Sequence, residues 1–124
     1  TDASSNNSTA MSTINQGTAK AWSNINQTST QAIRDSFNVS SISDVAVGRT
    51  SVNVSNSLSA NTYHANLTLR MQAGTSNDGS AGGIDTSDGT NAITTSQHQL
   101  TYRQQNGTDT DTPYGGSLIL GDLA

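Results

Sequence analysis

Five apolar residues recur at every second position in one short stretch: Tyr63, Ala65, Leu67, Leu69 and Met71, with His64, Asn66, Thr68 and Arg70 between them. A helix would scatter these five around its circumference, whereas an extended chain puts them on one side and the polar four on the other. The stretch therefore reads as a strand with one face in a core and one in water. A half-buried strand is not stable alone, so the rest of the chain must supply further strands and a second layer.

Other segments repeat the pattern less cleanly. Ala19, Ala21, Ser23 and Ile25 alternate with Lys20, Trp22 and Asn24. Either face suits burial, and Trp22 makes its own attractive. Ile33, Phe37 and Val39 share a parity that Asp35 interrupts, and Ile42 follows, as in a kinked strand. Val45 with Val47, the turn Gly48-Arg49, then Val52 with Val54 read as a β-hairpin. Residues 92–103 form a Thr/Gln-rich strand with Leu100 and Tyr102 on one parity, and Leu118, Ile119 and Leu120 a short apolar one. Residues 74–91 are Gly, Ser, Asp and Thr, with Ile84 the one notable apolar interruption, and read as a long loop. Residues 106–116 carry Asn106-Gly107, Pro113 and Gly115-Gly116 and read as another. Residues 1–17 are polar and rich in Ser, Asn and Thr, an arm or linker. The expected architecture is all-β: an antiparallel, jelly-roll-like β-sandwich of six to eight short strands over 18–124, preceded by an extended N-terminal arm over 1–17.

Composition narrows this further. In 124 residues, one domain's worth, hydrophobic residues are 31% and charged residues 11%, both low for a soluble domain. Such figures fit disorder or a β-domain with broad neutral faces. Disorder usually brings high charge or abundant proline, and Pro113 is the only proline. Thr favours strands, while Glu is absent and Lys20 is the sole lysine, which disfavours helices. A thin core calls for outside support, and with no Cys that support is not a disulfide or a Cys-type zinc site, which makes oligomerisation the leading candidate. The net charge of −4 and the lack of a basic cluster argue against nucleic acid. No apolar run reaches a membrane-spanning length and no signal peptide is visible, so no membrane insertion is expected. The start at Thr1 is compatible with a longer precursor or a removed initiator Met.

Ala19-Lys20-Ala21-Trp22, followed by the run Ala32-Ile33-Arg34-Asp35-Ser36-Phe37-Asn38-Val39-Ser40-Ser41-Ile42, resembles a recurrent phage and prophage domain of the tail-fibre-like, virion surface class. The likeness continues through Asp44, Gly48-Arg49, Ser51-Val52-Asn53-Val54, Asn61 and Tyr63, and returns in the ending Gly121-Asp122-Leu123-Ala124. It covers roughly residues 17–71 and the last few. Ser23 and Ile25 stand where that family usually has Val and Phe, and Gln27 where it has a turn glycine. The region 74–116 has no counterpart in it. The resemblance implies a virion surface protein, a tail-fibre tip or a capsid decoration protein, working as a homotrimer beside other capsid or tail proteins. Family members usually carry the module at the C-terminal end of a longer chain.

Residues for catalysis are sparse. Ser and Asp are plentiful, but His64 and His98 are the only histidines, Cys and Glu are absent, and no nucleophile elbow occurs. Both histidines are expected in solvent or at an interface, and no enzymatic activity is expected. No cofactor is expected; calcium is the one weak candidate, through Asp78, Asp85 and Asp88 in the first loop and Asp109 and Asp111 in the second. Neither loop has EF-hand or nonapeptide spacing. Several Asn-x-Ser/Thr sequons, at Asn26, Asn38, Asn53, Asn66 and Asn106, are what this composition produces. Trp22, Phe37 and Tyr63 are expected in the core. Tyr114, between Pro113 and Gly115, is the better surface aromatic. With Asn106 and Gln104 on the same loop it forms the candidate contact for a receptor, such as a host cell-surface glycan.

Overall fold

The computed structural model describes residues 10–69, 81–84, 93–104 and 106–124. Eight strands follow one short helix: α1 (Met11–Gly17), β1 (Ala19–Asn26), β2 (Ala32–Phe37), β3 (Val39–Ala46), β4 (Arg49–Val54), β5 (His64–Leu69), β6 (Ala81–Ile84), β7 (Gln97–Arg103) and β8 (Gly115–Leu120). They form two four-stranded antiparallel sheets, ordered β2-β1-β8-β5 and β3-β4-β7-β6, with the core between them. This is the expected all-β sandwich. β1–β2, β3–β4 and β6–β7 are local hairpins, each confined to one sheet.

Residues 11–17 are helical and not extended, which corrects the reading of that part of the arm. The reason is an unusual cap. The Lys20 ammonium donates to the Asn15 carbonyl, to Asn15 Oδ1 at 2.7 Å and to Thr18 Oγ1 at 2.8 Å. A cation at the last carbonyls suits the helix dipole.

On β1 the face that enters the core is Ala21, Ser23 and Ile25, leaving Trp22 half-buried on the outer side. Phe37 pairs with Trp22 and is 54% exposed, so both depart from the core role the sequence suggested. The cause is a β-bulge. Asn24 pairs with Asp35 but Ile25 pairs with Ile33, so Arg34 is an extra residue. One inserted residue reverses the side-chain alternation. Ile33 therefore packs inward while Asp35 and Phe37 face out, which resolves the imperfect parity of that strand.

Between β2 and β3 a single residue, Asn38, turns the chain from one sheet to the other, with φ +55°. Its amide donates to the Lys20 and Asn56 carbonyls at 2.9 and 3.1 Å, and its Oδ1 accepts from the Asn56 backbone N–H at 2.8 Å. The run 32–42 thus builds one edge strand of each sheet and the corner between them. At the β3–β4 turn Gly48 has φ +70° and donates to Asp111 Oδ1 at 2.7 Å.

β5 behaves as read: Ala65, Leu67 and Leu69 pack inward, and His64, Asn66 and Thr68 are exposed. Met71 lies outside the described residues. The long loop predicted over 74–91 contains β6, paired with β7 through Gly82↔Tyr102 and Ile84↔Leu100. A Cβ at Gly82 would collide with Leu67 and Tyr102, so only glycine allows the strand this close. The core falls into two apolar clusters. Ala21, Val54, Leu58 and Ile119 form one, and Ile25, Val52, Leu100 and Tyr102 the other. A polar seam separates them, made of Ser23 on β1, Ser117 on β8 and His98 on β7, all buried.

Candidate functional site

The register of the first sheet aligns side chains on its outer face in cross-strand rows. One row runs Phe37, Trp22, Leu118, Asn66, and the next runs Asp35, Asn24, Gly116, Thr68. Gly116 leaves a gap in the second row. A Cβ there would run into the Ser23 carbonyl, so the gap follows from backbone packing. Tyr114 and Leu118 flank it along β8, and Asn24 and Thr68 flank it across the sheet. The result is a shallow groove of about 340 Å³ lined by Ser23, Asn24, Thr68, Tyr114 and Gly115.

Tyr114 is 38% exposed at the rim of this groove. The Arg34 guanidinium lies 4.6 Å from its ring centroid and also donates to the Pro113 carbonyl at 3.1 Å. The bulge that adds Arg34 to β2 therefore also holds the Tyr114 ring. Beneath the groove, the buried Tyr102 hydroxyl accepts from the Gly116 N–H at 2.8 Å and donates to the Thr68 carbonyl at 3.0 Å. Burial raises the Tyr102 phenol above its usual range, so it stays protonated as this bridge requires.

The other two predicted contact residues do not line the groove. Gln104 and Asn106 lie on the 104–108 turn. There the Gln104 N–H donates to the Thr108 carbonyl at 2.8 Å, and Asn106 Oδ1 accepts from the Thr108 N–H at 3.0 Å. Asn106 is an Asx-type turn former, as Asn often is. Sequence reasoning found Tyr114 but missed Asn24 and Thr68. No local signal marks them, because only the β1–β8–β5 pairing brings them together.

The two carboxylates of the second calcium candidate have structural partners. Asp109 pairs with Arg49 at 3.0 Å and Arg103 at 2.6 Å, and the Arg103 hydrogen bond first, then that of Arg49, holds its carboxyl below the usual range. Asp111 accepts from Gly48. Asp78, Asp85 and Asp88 lie outside the described residues. Among the described residues no three metal-ligating side chains cluster, and no helix is long and apolar enough to cross a membrane.

Of the histidines, His64 is exposed on β5, as expected. His98 is not in solvent or at a surface but in the core seam. Its Nε2 lies 2.8 Å from Ser117 Oγ, which lies 2.9 Å from Ser23 Oγ. Its Nδ1 has no partner, and Tyr63 packs edge-on against the ring at 6.4 Å. Burial pushes the His98 pKa down to about 4, so the ring is neutral at pH 7. The Ser–His pair has the atoms of a nucleophile and base but is buried, and among the described residues no acidic side chain orients the ring. Tyr63 donates to the Gln97 carbonyl at 3.1 Å, and its burial raises its pKa to about 12.

No protein-family model, curated protein or solved structure matches the chain.

Proposed function

We propose that this chain is a bacteriophage virion structural protein without enzymatic activity, a surface-exposed tail-fibre tip or capsid decoration protein that mediates particle assembly or host attachment as a homotrimer. The phage context rests on the resemblance of the run 32–42, which forms the corner strands and their Asn38 hinge. The observation that carries the assembly role is the outer row Phe37, Trp22, Leu118. An exposed phenylalanine beside a half-buried tryptophan is apolar surface that the chain's own core does not use. A neighbouring subunit covering it would supply the burial that so thin a core lacks.

Two measurements test this reading. The mass of the purified chain in solution should correspond to a trimer, and a stable monomer at micromolar concentration would refute the assembly role. Retention by host cells identifies a fibre tip, retention by empty capsids identifies a decoration protein, and retention by neither refutes both. A second reading, a secreted carbohydrate-binding or adhesin module of a bacterium, draws on the groove beside Tyr114. Finding the chain in culture medium free of particles would favour it.

A further inference from the structure

The groove over Gly116 has the makings of a ligand site that differs in kind from the apolar row beside it. Its volume, about 340 Å³, is at the small end of the roughly 300–1,000 Å³ typical of small-molecule sites. Gly116 lies on β8, which has a hydrogen-bonded neighbour on each side. Both edges of that strand are occupied, so a peptide cannot add to it as a new strand. Recognition must come from side chains.

Those side chains are neutral. Asn24 and Thr68 are exposed, face each other across the gap, and make no side-chain hydrogen bond among the described residues. Asn66 on the neighbouring row is likewise exposed, whereas several other asparagines are engaged. Asn26 Oδ1 accepts from Thr28, the Asn38 amide binds the Lys20 and Asn56 carbonyls, Asn53 donates to Ser41, and Asn106 closes its turn. Asn24 thus offers one amide donor–acceptor pair and Thr68 one hydroxyl, on opposite walls. The third wall is the Tyr114 ring, held in orientation by Arg34. Ordering that ring before binding lowers the entropy cost of using it. Between these walls Gly116 brings no side chain to the outer row, so the floor there is backbone.

A backbone floor, one aromatic wall and two opposed neutral hydrogen-bonding groups match a pyranose ring. It has apolar C–H surface and a rim of hydroxyls that both donate and accept. We propose that the groove bounded by Asn24, Thr68, Tyr114 and Gly115 binds one neutral sugar residue of a cell-surface glycan. This deepens the attachment role proposed above and rests on that reading for its biological meaning, while the binding itself is a property of the purified chain.

The test is titration of the 15N-labelled full chain with methyl glycosides of glucose, galactose, mannose and N-acetylglucosamine, followed by amide chemical shifts. At least one glycoside should shift the amides of Asn24, Thr68, Tyr114, Gly115 and Gly116 in a saturable way. Tyr114→Ala and Asn24→Ala should each weaken binding about tenfold or more without lowering the melting temperature by more than a few degrees. Asn106→Ala, on the turn away from the groove, should leave affinity unchanged. If no glycoside shifts these amides, or if the shifts centre on the 104–108 turn and Asn24→Ala binds as the parent does, the assignment is wrong. Failure here leaves the virion reading to its own test on particles. Success with a chain absent from particles supports the adhesin reading instead.

Discussion

Above the range where carboxylates titrate, acid should weaken this sandwich through one residue, His98. In the unfolded chain its imidazole titrates near its ordinary value of 6.5, and in the folded chain near 4. Between those values the unfolded state binds the proton and the folded state does not. Stability is therefore complete above about pH 6.5 and is lost as pH falls towards 4. Linkage gives a loss of about 2 kcal/mol by pH 5 and about 3 kcal/mol below pH 4. Against a typical domain stability of about 5–15 kcal/mol, that is a large fraction. The structural cause is specific: a protonated ring would bring a charge into the seam between two apolar clusters, where Ser117 is its one hydrogen-bonding neighbour. Urea unfolding of the parent and His98→Gln, at one protein concentration from pH 7.5 to 4.5, measures the effect. Gln keeps a neutral polar group near Ser117 but cannot take up the proton. The variant should start less stable and lose little as pH falls, so the two curves converge. His64 is present in both proteins, so the difference isolates His98. A parent curve flat from pH 7 to 4.5, or a variant with the same slope, would refute the reasoning.

Three further outcomes follow from the packing. Gly48→Ala should destabilise by about 1–3 kcal/mol in thermal or urea unfolding, because φ is +70° and the new Cβ would lie 2.6 Å from both Thr110 N and the Tyr102 carbonyl oxygen. Tyr102→Phe should cost about 1–3 kcal/mol by the same measurement, since it leaves the buried Gly116 N–H without its acceptor. Phe37→Arg should change monomer stability by less than about 1 kcal/mol, because Phe37 is outside the core, yet reduce the proposed trimer to smaller species in sedimentation.

Where the apolar pattern was local, the sequence was readable. β5 follows its alternation residue by residue, and Val52 and Val54 mark the core face of β4. Where the pattern depended on a partner, it was not. The Arg34 bulge reverses the parity of β2 only because Ile25 and Asn24 sit opposite, so Phe37 looked like core from its spacing with Ile33. β6 was hidden because Gly82 and Gly83 bring no apolar side chains, although the close approach of Leu67 and Tyr102 is what demands Gly82. His98 looked solvated among polar neighbours, since its burial comes from strands β1 and β8. In the site, Tyr114 was legible as a loop aromatic between Pro113 and Gly115. Gln104 and Asn106 were its neighbours in sequence, while its neighbours in space come from β1 and β5.

The central claim is that this chain is a stoichiometric part of a phage particle. Quantitative mass spectrometry of purified, salt-washed phage particles, from a host culture in which the chain is expressed, counts copies against the major capsid protein. A virion structural protein should be present at a fixed copy number, in multiples of three, that survives washing. Absence of the chain from such particles, or a trace amount that washes away, would contradict it.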